Sequence, residues 1–216
     1  MALAAELGIP RFGLIGNSLG AITADAIAAQ HPDHVSALAL LNGSLVITKP
    51  PASRLSLFQR MFLDHYDRAN FRALRADTPK AAFETLRPYY ADIDALPIED
   101  RDFLAERVVA RVWDEPQRLA ALTIQKGSLP YFLTAGRRLA ARIPSLPVPT
   151  LVVWGASDNI FPVANARPRA AAQPGARLEI LPGVGHLPQQ ELPDLLLRAL
   201  LPFLEAAVAP VGAITS

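Results

Sequence analysis

The 216-residue chain is 51% hydrophobic and 19% charged, a balance that excludes intrinsic disorder. Its 21 basic and 20 acidic residues leave a formal net charge of +1, without the basic excess of a nucleic-acid binder, so no nucleic-acid partner is expected. Cysteine is absent, which removes disulfides, thiolate nucleophiles, zinc–thiolate sites and iron–sulfur clusters and leaves four histidines for imidazole chemistry.

Residues 3–7 read as the end of a helix, stopped by Gly8 and Pro10. Phe12–Ile15 is an apolar run too short for a helix and bounded by turn residues, which predicts a buried strand. Gly16-Asn-Ser-Leu-Gly20 follows, then an Ala-rich helix over Ala21–Gln30 that ends at His31-Pro-Asp33. Val35–Leu41 is a second apolar run, closed by Asn42-Gly43. Strand, turn, helix and strand in this order make a parallel βαβ unit. From about 49 to 147 the composition changes to Arg, aromatic and acidic residues with helical spacing. Leu55, Phe58, Phe62 and His65 fall on one face, as do Phe103, Arg107, Val108 and Arg111, and prolines at 79, 88, 97, 116 and 130 divide the segment. Five or six short helices are predicted there, without a repeat.

The strand pattern resumes at Pro149–Trp154, followed by Gly155 and Asp158. A helix over Val163–Gln173, a strand over Arg177–Leu181, a glycine-rich loop Pro182–His186 and a last helix from Gln189 to about Ala207 complete the chain. The expected architecture is one parallel sheet with strands near 12, 35, 149 and 177 in that spatial order. Three regions follow: 1–48, a helical insertion 49–147, and 148–216. The most apolar window, 192–214, is broken by Pro193, Asp194, Arg198, Pro202, Glu205 and Pro210, so no membrane span is expected. The first ten residues carry Glu6 and no basic leader, which points to the cytoplasm.

Gly16-Asn-Ser18-Leu-Gly20 fits the G-x-S-x-G pattern between a strand and a helix. The serine there must sit on a tight, strained turn that aims its hydroxyl outward, and glycines let strand and helix approach. A serine needs a base. His186 lies in Pro182-Gly-Val-Gly-His-Leu-Pro188, between a strand and a helix, where a side chain can reach over the sheet's edge. His31 and His34 read as a solvated turn rather than a metal pair, and His65 as packing. The base needs a carboxylate to fix its tautomer. Asp158 stands four residues after Trp154, near the carboxyl end of a strand where functional groups gather in parallel sheets. Asp25, Asp33 and Asp194 read as solvated or capping residues. Ser18, Asp158 and His186 occur in the chain order that the α/β-hydrolase arrangement uses.

On Leu14-Ile-Gly-Asn-Ser-Leu-Gly20, His31-Pro-Asp-His-Val35, Leu151-Val-Val-Trp-Gly-Ala-Ser-Asp158 with Phe161-Pro162, and Gly183-Val-Gly-His186, the chain resembles the α/β-hydrolase superfamily. The resemblance implies an α/β fold, a partial α/β-hydrolase with a mainly parallel sheet and a helical cap at 49–147. It implies Ser18 as nucleophile, His186 as base and then acid, Asp158 as orienting carboxylate, and the Leu19 N–H as an oxyanion donor. The wording is similar to the branch of carbon–carbon bond hydrolases and small carboxylesterases, with Ala21 where a second glycine usually follows. In that family the nucleophile turn follows the fifth strand of eight. Here it comes at residue 18, and no loop supplying a second oxyanion donor is found, so the chain is expected to be the C-terminal part of a longer hydrolase.

The function this implies is hydrolysis of a small-molecule ester, or of a carbon–carbon bond next to a carbonyl, through an acyl-enzyme and without cofactor or metal. Phe161, Tyr131, Phe132 and Trp113 are candidate pocket-lining residues. Acyl transfer or perhydrolysis on the same scaffold, and a binding module made from an inactive hydrolase half, are the alternatives. The strand Phe12–Ile15 carries no Lys or Pro guard, so its open edge is expected to invite self-association.

Overall fold

A computed structural model describes residues 1–48 and 78–208. Four strands, β1 (Phe12–Asn17), β2 (Val35–Leu41), β3 (Thr150–Gly155) and β4 (Arg177–Leu181), form one parallel sheet in the order β1-β2-β3-β4. This is the expected order, although β1 and β3 each run past their apolar stretch, to Asn17 and Gly155. Helix α1 (Ala2–Glu6) precedes β1, and α2 (Leu19–Gln30) joins β1 to β2.

Alternation along the central strands divides the core between the two faces of the sheet. Leu38, Leu40, Val152 and Trp154 pack with Ala21, Ala24 and Ala28 of α2. Ala37, Ala39, Leu41, Leu151 and Val153 face the other way. They meet Leu196, Leu200 and Phe203 of the last helix. Burying a side chain of that size contributes about 1.5–3 kcal/mol. The alanines on α2 bring that helix close to the sheet.

The second helical stretch differs from expectation in two places. Val163–Gln173 is a 3₁₀ turn, Val163–Asn165, followed by a short α7 (Ala166–Ala171). The last helix is split into α8 (Pro188–Glu191) and α9 (Pro193–Val208), because Pro193 has no N–H to continue the ladder. Asp25, expected to be solvated, is instead fully buried on α2. It accepts from Arg169 Nε at 3.0 Å and Nη2 at 2.8 Å, and from the Leu45 N–H at 3.0 Å. Gln173 accepts from Arg169 at 3.1 Å and donates to the carbonyls of Leu146 and Val148, so one polar group ties α2, α7 and two loops together. A short polar side chain among alanines reads as a surface position. Its long-range partner, 144 residues away, leaves no local signal.

Between β2 and β3 the described residues are helical, with no strand among them: α3 (Thr78–Leu86), α4 (Ile98–Trp113), α5 (Glu115–Tyr131), a π-turn over Phe132–Gly136 and α6 (Arg137–Ala140), with 3₁₀ turns at 87–89, 93–95 and 143–145. Phe103 and Arg107 are exposed and stack cation on ring at 4.9 Å, and Arg111 is exposed, whereas Val108 is buried. The four do not share a packed face, since Phe103 and Val108 are about 140° apart around the helix. Leu55, Phe58, Phe62 and His65 lie outside the described residues. No described helix is long and apolar enough to cross a membrane.

Candidate active site

Ser18 stands between the last residue of β1 and the first of α2 at φ 55, ψ −118, the left-handed half of backbone space that L-residues avoid. Backbone bonds at both ends hold it there: its N–H donates to the Leu41 carbonyl at 2.9 Å, and its carbonyl accepts from Ile22 at 3.1 Å. Glycine at 16 is required by space, since a Cβ there would lie 2.3 Å from the Gly20 carbonyl oxygen. Gly20 itself faces open space, so the close approach rests on one of the two flanking glycines. A third glycine, Gly43, does similar work from the end of β2: a Cβ would sit 2.4 Å from the Ser18 carbonyl oxygen.

Asp158 and His186 meet at the carboxyl ends of β3 and β4. His186 Nδ1 lies 2.9 Å from Asp158 Oδ2, with both side chains essentially buried. Asp158 Oδ1 accepts from the N–H groups of Ile160 and Phe161, each at 2.8 Å. A carboxylate receiving this many donors is acceptor only. Nδ1 therefore carries a proton, which leaves Nε2 as the nitrogen with the lone pair whenever the ring is neutral. Nε2 is buried and has no hydrogen-bond partner among the described residues, so the Ser18 hydroxyl is not bonded to it. The structure thus joins Asp158 to His186 and places Ser18 on a strained turn. No hydrogen bond joins Ser18 to His186.

What connects the serine turn to the histidine loop is Asn17, the variable residue before Ser18. Its Nδ2 donates to the His186 carbonyl at 3.0 Å and to the Leu41 carbonyl at 3.3 Å. Sequence reasoning passed over it because a G-x-S-x-G pattern leaves that position open. In the sequence Asn42 likewise marks only the end of a strand. Its buried Nδ2 donates to Asp158 Oδ2 at 2.7 Å and to the Gly185 carbonyl at 3.1 Å.

The helical segment reaches this site through residues 89–91. His186 N–H donates to the Tyr89 carbonyl at 2.8 Å. Glu191 accepts from the N–H groups of Gly185 at 2.9 Å and Ala91 at 2.7 Å. Tyr90 is buried and its hydroxyl bonds Gln190. Burial, with Glu191 nearby, pushes the Tyr90 phenol up to about 12. The Phe161 ring stacks on the His186 ring at 6.1 Å, and Tyr89 tilts against it at 5.9 Å. Of the four candidate lining residues, Phe161 is therefore at the base. Tyr131 and Phe132 instead line a groove of about 440 Å³ with Leu19, Ile22 and Ile124, and burial, with Asp25 next, raises the Tyr131 phenol. Trp113 is exposed at the end of α4. No cluster of metal-ligating side chains occurs among the described residues.

A 2-hydroxy-6-oxononadienedioate/2-hydroxy-6-oxononatrienedioate hydrolase of Pseudomonas sp. is 27% identical over 204 residues, covering 92% of this chain and 65% of its own. This chain therefore spans about 65% of that relative's length. The solved 2-hydroxy-6-oxo-6-phenylhexa-2,4-dienoate hydrolase of Rhodococcus sp. strain RHA1 superposes with a TM-score of 0.69 at 21% identity, over 95% of this chain and 66% of that one. The enol-lactonase of Burkholderia xenovorans LB400 gives 0.65 at 23% identity, over 94% and 68%. Both likenesses establish the fold. The family described as alpha/beta hydrolase fold matches residues 2–192, and with its strained serine turn and parallel sheet the chain belongs to that family.

Proposed function

We propose that this chain carries the nucleophile, base and acid of a serine hydrolase that cleaves a small-molecule ester, or a carbon–carbon bond next to a carbonyl, through an acyl-enzyme. The observation that carries the reading is the buried Asp158–His186 pair, 2.9 Å long, beside a serine at φ 55. Ser18 Oγ attacks the carbonyl carbon and its proton passes to His186 Nε2. The Leu19 N–H stabilises the oxyanion. The bond to the leaving group breaks, and that group takes the proton from Nε2. Water then gives a proton to Nε2 and attacks the acyl carbon, the bond from that carbon to Ser18 Oγ breaks, and Oγ takes the proton back from Nε2 as the acid leaves. Asp158 keeps the ring in the required tautomer and stabilises the imidazolium. The name of the Pseudomonas relative, a hydrolase of a 6-oxo dienedioate, supports the carbon–carbon bond version.

The segment 49–147 is the cap in this reading and shapes the pocket beside Phe161. In this reading the edge of β1, which pairs with β2 alone among the described strands, is the surface through which copies associate. A fluorophosphonate probe tests the catalytic reading. The chain should be labelled and Ser18→Ala should not; an unlabelled chain, folded by circular dichroism, refutes it. Competing alcohols and peroxide, followed by product analysis, separate hydrolysis from acyl transfer and perhydrolysis.

A further inference from the structure

We propose that Asn42 is a positioning residue for the Asp158–His186 pair, a role that rests on the hydrolase reading above. Asn42 follows the last residue of β2 and is fully buried. Its backbone is held at φ 51, a conformation that asparagine tolerates better than other residues bearing a Cβ, and its N–H donates to the Val153 carbonyl at 3.0 Å. The side chain therefore starts from a fixed point on the sheet.

Its Nδ2 group spends both hydrogens on the site. One goes to Asp158 Oδ2 at 2.7 Å, the other to the Gly185 carbonyl at 3.1 Å, immediately before His186. The amide cannot be reversed, because its oxygen would then face a carboxylate and a carbonyl, both acceptors. Asn42 Oδ1 is buried without a partner among the described residues, so the orientation is kept at the expense of its own acceptor. Asp158 Oδ2 thus has two donors, Asn42 and His186 Nδ1 at 2.9 Å. The amide fixes the carboxylate plane on the side that the backbone bonds to Oδ1 leave open. It also takes up part of the negative charge that the imidazolium would otherwise feel. Asn42 in this way sets both where the base points and how strongly it holds a proton.

The test uses the full chain with Asn42→Ala and Asn42→Gly, glycine adopting the positive φ without strain. Melting temperature establishes folding. The His186 titration is followed by NMR, and Ser18 labelling by a fluorophosphonate is followed against pH. Among the described residues, three titratable groups face His186 or its loop: Asp158 after β3, Tyr89 from the helical segment, and Glu191 of α8 through the Gly185 and Leu187 N–H groups. All remain in both variants. The expected result is a His186 midpoint raised by about half a pH unit or more. The acid limb of labelling should follow it, and the rate at pH 7 should fall about tenfold. A folded glycine variant with an unmoved midpoint overturns the proposal, since a merely structural asparagine would change stability alone. If the midpoint moves while the wild-type chain takes no label, Asn42 keeps its role and the hydrolase reading fails. Should neither variant fold, the wild-type chain decides. The Asn42 side-chain amide protons should shift with the His186 midpoint, and amide protons that ignore that titration refute the coupling.

Discussion

The sheet region and the helical segment between β2 and β3 handle the same residue types in opposite ways. In the sheet region a charged pair, Asp25 and Arg169, is wholly buried and every partner is a fixed part of the fold. In the helical segment, Arg87 reaches Glu84 at 3.4 Å and Asp94 at 2.8 Å in the open. Several large apolar side chains follow the same division, although Ile93 and Ile143 of the helical segment are buried and Ile15 of β1 is exposed. Trp154 and Leu38 are inaccessible, while Trp113 is 58% exposed, Leu133 64% and Ile98 63%. The difference shows where the chain spends its packing. The sheet holds three loops to a fixed geometry, and the helices keep an apolar surface available.

Breaking the buried pair should have the largest effect. Asp25→Asn leaves the Arg169 charge uncompensated in the core and should lower unfolding stability by about 3–5 kcal/mol in urea titration. A loss under 1 kcal/mol would erase the contrast with the surface pairs. Next comes Gly155→Ala. Its Cβ would lie 2.0 Å from the Gly185 carbonyl oxygen, which belongs to the histidine loop. Stability should fall by about 1–3 kcal/mol, and fluorophosphonate labelling should fall much further than stability, since the backbone beside His186 must move.

Legibility in the sequence follows the same division. β2 matches its expected range because a largely apolar run between turn residues allows few other structures, and β4, Arg-Leu-Glu-Ile-Leu, matches because turn residues bound a short stretch of strand length. Ser18, Asp158 and His186 stand out as candidates in the sequence because each follows a strand, and the structure brings Asp158 to His186 and gives Ser18 a positive φ. Asn17, Asn42, Glu191 and the Asp25–Arg169 pair were not, since each acts through a partner 24 or more residues away or through backbone N–H groups that any sequence supplies. On α4 the helical period was correct, but the period does not say which face meets the rest of the protein, and Phe103 lies on the exposed one.

Smaller effects sharpen the comparison at the seam between the regions. Tyr90→Phe removes the hydroxyl bond to Gln190 and should cost about 0.5–1.5 kcal/mol at neutral pH. The folded phenol titrates near 12, above the ordinary value of 10, so its stabilising effect is complete below pH 10 and is lost as pH rises through 12. The wild-type chain should therefore lose more stability than the phenylalanine variant between pH 10 and 12, and an equal loss would contradict the seam. The smallest effect belongs to Arg87→Ala, whose partners are solvated: no change in melting temperature beyond error is expected.

The Glu191 carboxylate has a mechanical consequence. It grips the Gly185 N–H on one side and the Ala91 N–H on the other, while His186 itself hangs from the Tyr89 carbonyl. No Cβ at 185 keeps the two backbones apart; one placed there would come within 2.6 Å of the Ala91 nitrogen. The stretch Tyr89–Ala91 and the backbone of the histidine loop are therefore pinned to each other. A displacement of that stretch would pull on the histidine loop at two backbone points, Gly185 and His186, at once.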